Sequence, residues 1–239
     1  MNPSQPLPRA IVFDVDGTLY RQGPLRRTMA LRLAQAYWSR PLAGLRTARG
    51  LAAYRRAQES MRHSGEAGGA HRQLELAASQ CGIPADSLAE RVARWMDREP
   101  LPHLLGCRRP GLVGFLEQAR DAGIRLGVFS DYPPHEKLEA LGIRGSFDVV
   151  VCAQDSDVGM FKPSPRGIEI ALKRLETAPG DALYVGDRHA VDAVAAVAAG
   201  VSCVIVGEKS PETGMHGARV VADFTELAAT IFKRDLEVS

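Results

Sequence analysis

The sequence predicts a doubly wound parallel α/β sheet interrupted by an all-helical insertion. Three observations lead there. Short apolar runs rich in Val and Ile end in Asp, Ser or Gly, as buried strands do. Segments of helical period lie between those runs, an alternation that builds a parallel sheet covered on both faces. One long interval, residues 21–107, contains no strand-like run.

The first strand is AIVF at 10–13, which runs directly into DVDGT. Residues 21–107 read as helical, with breaks near Pro41, Gly65–Gly69, Cys81–Pro84 and Pro100–Pro102. A helix over 111–123 follows, closed by Gly123, then the strand RLGVFS at 125–130 and the strand FDVVVCA at 147–153. The segment 163–175 predicts a helix with Ser164 as N-cap and Pro165 in its first position. ALYVGD at 182–187 is the next strand. Residues 190–200 form a helix ended by Gly200. VSCVIV at 201–206 is a strand, 219–222 a short one, and 223–234 the closing helix. The domain division expected is 1–20 with 108–239 as the α/β core and 21–107 as the helical insertion.

A chain of 239 residues suits one α/β domain carrying an insertion. Hydrophobic residues at 45% and charged residues at 24% are globular usage, which excludes disorder, collagen and coiled coil. The net charge of +2 implies no general attraction to nucleic acid. That charge is unevenly spread: the insertion holds many Arg and no Lys and is basic, so the remainder is acidic. Cys81, Cys107, Cys152 and Cys203 are far apart and form no CxxC, which argues against a zinc ribbon and for reduced thiols. The opening MNPSQPLPRA lacks the apolar core of a signal peptide. The most apolar stretch, 193–206, is split by Gly200 and too short to span a bilayer. No membrane partner and a cytoplasmic location are expected.

Chemistry collects at the strand ends. Strand one ends in Asp14-Val15-Asp16-Gly17-Thr18, the next in Ser130-Asp131, and a later one in Gly186-Asp187 with Asp192 five residues on. Lys162-Pro163 precedes a helix. Right-handed crossovers bring all strand C-termini to one edge, where open α/β sheets bind ligands. Taken singly, Asp-x-Asp-Gly is a turn, Ser130 a cap and Lys162 a solvated lysine. Together they form a set of carboxylates, a hydroxyl and an ammonium, which suits a divalent cation and a phosphate group at once.

In this order, DVDGT at 14–18, Ser130, Lys162 and GDRHAVD at 186–192 resemble the four motifs of the haloacid dehalogenase (HAD) superfamily. The resemblance spans nearly the whole chain and implies a Rossmann-like core with a helical type-1 cap after the first motif. It implies a Mg²⁺-dependent phosphatase for a small phosphorylated metabolite. Asp14 would be the nucleophile that forms an aspartyl-phosphate, and Asp16 the acid and base. Ser130, Lys162 and Thr18 would hold phosphoryl oxygens. Asp14, the backbone carbonyl of Asp16 and Asp187 would hold Mg²⁺, with Asp192 either supporting or joining them. Asp16 argues against a dehalogenase, because a halide leaving group needs no proton. The lysine-free insertion argues against phosphonate cleavage through a Schiff base. A phosphomutase shares every core motif and stays an alternative, as does a receiver-like signalling domain.

Some positions depart from the familiar pattern. Asp131 stands where many relatives have Asn; it either reads a substrate hydroxyl or caps the next helix, with the cap preferred. Arg188 either touches an anionic substrate or is exposed. The insertion's arginines suggest an anionic leaving group, although any single one is better read as a solvated side chain. Tyr37, Trp38 and Trp95 read as core of the helical insertion.

Overall fold

A computed structural model describes residues 6–207 and 217–232. The first residues of the N-terminal segment and the expected extension of the last helix to 234 lie outside the described residues. Among the described residues, six parallel strands form one sheet in the order β3-β2-β1-β4-β5-β6. They are β1 (Ala10–Phe13), β2 (Arg125–Ser130), β3 (Val149–Cys152), β4 (Ala182–Gly186), β5 (Ser202–Val206) and β6 (Arg219–Val221). β1 is central, with Ala10 opposite Arg125 on one side and Ala182 on the other.

The two-residue period of β1 divides the core. Ile11 and Phe13 face a layer holding Leu112, Phe115 and Phe224, carried by α6 (Leu112–Asp121) and α10 (Phe224–Phe232). Ala10 and Val12 face the other layer, with Ile168 of α8 (Arg166–Arg174) and Ala195 of α9 (Val194–Ala198). All four residues of β1 are fully buried, which is why the run is apolar without alternation.

Between β1 and α6 lie α1 (Gln22–Ala36), α2 (Pro41–Ser64), α3 (Gly69–Cys81), α4 (Ala85–Val92) and α5 (Leu101–Leu104). A π-helical turn, Ala93–Arg98, continues α4. These helices have a small core of their own around Ala53, Tyr54, Ala57, Ala77, Ile83 and Leu88. The chain leaves and returns through two adjacent connections: Tyr20 bridges Arg108, and the Arg21 N–H donates to the Cys107 carbonyl at 2.8 Å. No helix among the described residues is long and apolar enough to cross a membrane.

Several local expectations shift. Ser164 does not cap α8, which starts at Arg166 with Pro165 in the cap position. The Ser164 N–H is engaged in a turn to the Phe161 carbonyl at 3.1 Å, so the helix begins later. The segment expected as one helix over 190–200 opens with a π-helical turn, His189–Ala193. That wide turn points Asp192 inward, where its carboxylate takes the N–H groups of Asp187 and Arg188. Trp38 is not core: it stands 88% exposed, whereas Trp95 is buried. Helical spacing places aromatic residues on a face but does not say whether a neighbour covers that face.

Candidate active site

The C-terminal ends of β1, β2 and β4 meet at one edge, as right-handed crossovers require. Asp14 follows β1 and is anchored by its N–H to the Val185 carbonyl at 2.9 Å. The Thr18 hydroxyl, one turn on, donates to Asp14 Oδ2 at 2.8 Å. Lys162 lies just before α8 across a cis peptide to Pro163. Its Nζ reaches Asp14 Oδ1 at 2.5 Å, Asp192 Oδ1 at 2.9 Å and the Tyr184 hydroxyl at 3.2 Å. This lysine is 2% exposed, so its charge is matched inside the protein and not by water.

Asp14, Asp187 and Asp192 each offer an oxygen, all within 4.8 Å of one another. Glycines make that approach possible. A Cβ on Gly17, which has φ 109°, would lie 2.0 Å from Asp187 Oδ2. A Cβ on Gly186 would lie 2.5 Å from Asp192 Cγ. One ammonium faces three carboxylates. Burial, then repulsion from Asp192, outweighs Lys162 and pushes Asp14 up to about 7. Burial, then Asp14 and Asp192, pushes Asp187 up to about 8. Asp192 goes the other way: burial raises it, but Lys162 and the two backbone N–H groups hold it below the ordinary carboxylate value. A hard oxygen donor set with one ammonium against three carboxylates is short of positive charge and fits Mg²⁺.

Asp16 is two residues from Asp14 but its carboxylate is not in that cluster. Lys137, at the start of α7 (His135–Ala140), donates to both of its oxygens at 2.7 Å, and the Tyr20 hydroxyl donates to Oδ1. Burial raises the Asp16 pKa, and Lys137 with Tyr20 brings it below the ordinary value. Its backbone carbonyl accepts from Gln22 Nε2. The Gly17 carbonyl is held by Arg109, whose Nε and Nη2 donate at 3.0 and 2.7 Å.

Above this floor is a cavity of about 860 Å³ between the sheet edge and the inserted helices. Asp14, Asp16, Lys162, Asp187 and Asp192 line it. Leu25, Met29 and Leu33 of α1 face it, as do Trp95 and Met96 of the π turn after α4. Ser130 and Thr18 do not line it. Ser130 is fully buried at the end of β2, and its Oγ accepts the Tyr132 N–H at 3.3 Å.

Asp131 does not cap α7, whose N-cap is Pro134. Its Oδ1 accepts the Lys162 N–H at 3.1 Å and its Oδ2 takes the Arg62 guanidinium from α2. Arg188 is half exposed and pairs with Glu59 of α2 at 3.2 Å. Both residues therefore join the sheet edge to the same turn of α2. Lys137, Tyr184, Tyr20 and Arg109 were not foreseen as site residues. Tyr184 had a readable signal: it is two positions before Gly186 on β4 and so shares a sheet face with it.

A family model for haloacid dehalogenase-like hydrolases matches residues 8–200. The chain is 30% identical over 200 residues to the glyceraldehyde 3-phosphate phosphatase of Methanopyrus kandleri, with 82% of each chain covered. It is 28% identical over 239 residues to a phosphoglycolate phosphatase of Rhodospirillum rubrum, covering 92% of this chain and 90% of the relative. Among solved structures, a HAD phosphatase from Thermococcus onnurineus superposes with a TM-score of 0.65 at 24% identity, covering 94% of this chain and 98% of the other. That last likeness is one of fold.

Proposed function

The chain belongs to the haloacid dehalogenase-like hydrolases and is a phosphoric monoester hydrolase, and from that premise we propose that it cleaves a small phosphorylated metabolite through an aspartyl-phosphate on Asp14, with Mg²⁺ as cofactor. The observation that carries this reading is the convergence of Asp14, Asp187, Asp192 and Lys162 on the floor of one cavity. We keep the cytoplasm as its setting, where its four free cysteines stay reduced.

Asp14, the backbone carbonyl of Asp16 and Asp187 would hold the Mg²⁺, with Asp192, whose oxygens take Lys162 and two backbone N–H groups, supporting or joining them; when bound the cation neutralises charge on the phosphoryl oxygens. Asp14 attacks phosphorus, the bond to the leaving oxygen breaks, and that oxygen takes a proton from Asp16. Water then attacks the same phosphorus, Asp16 accepts its proton, and the bond to Asp14 breaks to release inorganic phosphate. Thr18 orients the Asp14 carboxylate through its hydrogen bond to Oδ2. Lys162 screens Asp14 from an incoming anion. The ion pair with Lys137 favours the base half of the Asp16 role; to act as acid, the Asp16 carboxyl has to come off Lys137. Ser130 keeps its O–H free to donate while its Oγ accepts the Tyr132 N–H, and it serves the phosphate only once that fully buried hydroxyl is brought to the cavity.

The test is phosphate release from a panel of phosphorylated metabolites with Mg²⁺, on the native chain and on Asp14→Asn. The variant keeps size and loses the attacking charge, so kcat should fall by at least about 10³-fold with the fold intact. In H₂¹⁸O the label should enter released phosphate and not Asp14. Retention of more than about a tenth of kcat, label in Asp14, or full turnover after exhaustive chelation would each overturn the reading. Transfer to a second sugar hydroxyl with negligible release to water would make it a mutase.

A further inference from the structure

Residues 21–58 contain nine arginines and no Asp or Glu. All nine are exposed, and among the described residues only Arg32 of these meets a carboxylate, Glu99 at 3.4 Å. Only Arg26 and Arg55 of the nine line the cavity. An anionic leaving group therefore accounts for few of them. The same stretch carries four large apolar side chains in water: Trp38 at 88% exposure, Leu42 at 80%, Leu45 at 67% and Leu31 at 65%. They sit around the turn that joins α1 to α2. The helix α1 has 15 residues and fully buries only Leu25, with Met29 and Leu33 half-buried toward the cavity, so its outer face has no covering partner among the described residues.

The spacing sorts these residues into mixed stripes. Leu42, Leu45, Arg46 and Arg49 recur at i, i+3, i+4 and i+7 on α2. Arg27, Leu31 and Ala34 share a stripe of α1 that runs out at Trp38. Each stripe sets aliphatic side chains beside exposed guanidinium groups, a side chain that combines an apolar stem with a charged head. Neither helix is strongly amphipathic along its whole length; it is around the turn between them that an exposed indole and leucines stand among arginines, the combination that suits the interface between water and lipid, where Trp sits at headgroup depth and Arg meets anionic headgroups.

We propose that the α1–α2 hairpin docks the protein peripherally on an anionic lipid surface, with Trp38, Leu42 and Leu45 entering the headgroup region and the flanking arginines contacting lipid phosphates. This surface is separate from the catalytic floor and does not rest on the hydrolase reading. A second copy of the chain fits it poorly, because an isologous contact sets the same patch against itself and brings unpaired arginines together. Nucleic acid would use Arg and an aromatic ring for stacking, but gives Leu31, Leu42 and Leu45 nothing to cover them. The lack of a spanning helix has no bearing on a surface of this kind.

The test uses the full chain and extruded vesicles of phosphatidylcholine, alone or with about one third phosphatidylglycerol, read by flotation. The anionic vesicles should recover at least about tenfold more protein than the neutral ones at low salt, and about 0.5 M NaCl should release it. Trp38→Ala/Leu42→Ser and Arg46→Gln/Arg49→Gln should each lower recovery at least about fivefold. None of these four residues lines the cavity, so hydrolysis of p-nitrophenyl phosphate in solution and the circular dichroism spectrum should stay at wild-type values, which shows that the fold survives. Absence of vesicle binding overturns the proposal, including the cases where the patch instead holds a dimer or retains a single-stranded oligonucleotide. Equal recovery on neutral and anionic vesicles overturns it, as does wild-type recovery of both variants.

Discussion

Lys137 donates to both carboxylate oxygens of Asp16 at 2.7 Å, and the pair is shielded from water, with side-chain exposures of 9% and 18%. The contact stabilises the ionised form of Asp16 against the burial that opposes it. Replacing Lys137 by Met removes that support, so the Asp16 pKa rises. In the proposed mechanism ionised Asp16 takes the proton of the attacking water, and the acidic limb of the pH–rate profile should therefore move to higher pH. The value of kcat near neutrality should fall about 10- to 100-fold. A pH profile of p-nitrophenyl phosphate hydrolysis from pH 4 to 9 reads both; an unshifted limb would separate Lys137 from Asp16 function.

The carboxylate cluster makes a prediction about protons. Asp14 at about 7 and Asp187 at about 8 are substantially protonated at neutral pH in the metal-free protein. A cation binds the ionised forms, so Mg²⁺ binding at pH 7 should release about one proton per site. The apparent affinity should then rise with pH up to about 8 to 9 and level off above it. Calorimetry in two buffers of different ionisation enthalpy counts the protons. Binding without proton release would mean that the cation goes elsewhere.

The sheet and the strand-end carboxylates were legible for a physical reason. Buried strands such as AIVF are continuous apolar runs, and chain topology alone places their C-terminal ends on one edge. The pairing of Lys137 with Asp16 was not legible, because it spans 121 positions and joins a helix start to a loop through no local pattern. Asp131 misled because its position before a helix suits a cap, whereas its partners, Lys162 and Arg62, come from elsewhere in the chain. Trp38 misled because helical spacing shows which residues share a face and leaves open what lies against it.

Arg62 and Asp131 tie α2 to the sheet edge, each with 8% side-chain exposure. Asp131 also accepts the Lys162 N–H, so the link from α2 ends one residue's length from Asp14. Arg62→Ala leaves a buried carboxylate with one remaining backbone donor and should cost about 3–5 kcal/mol in urea unfolding. Asp131→Leu should cost less, because Arg62 keeps its ion pair with Glu59 at 2.5 Å. The double variant Arg62→Met/Asp131→Leu should lose less than the sum, because neither charge is left without its partner. Strict additivity in this cycle would show that the pair does not act as a unit.

Gly17 tests the cluster without touching a charged group. Its φ of 109° is disfavoured for other residues, and a Cβ there would lie 2.0 Å from Asp187 Oδ2 and 2.6 Å from its Cγ. Gly17→Ala must therefore displace either the DVDGT turn or Asp187. The backbone strain should cost about 1–3 kcal/mol, small enough for the sheet to persist. The larger effect should fall on the site: moving Asp187 removes one of three oxygens from the cluster, so the Mg²⁺ concentration giving half-maximal turnover should rise at least about tenfold. Asp187→Asn should show the same shift with no loss of stability, since Asp187, pushed up to about 8, is already largely uncharged near neutral pH in the metal-free protein. Magnesium titrations of turnover, paired with urea unfolding of both variants, separate the two effects. A Gly17→Ala enzyme with wild-type magnesium dependence would show that Asp187 does not need the space that the glycine leaves it.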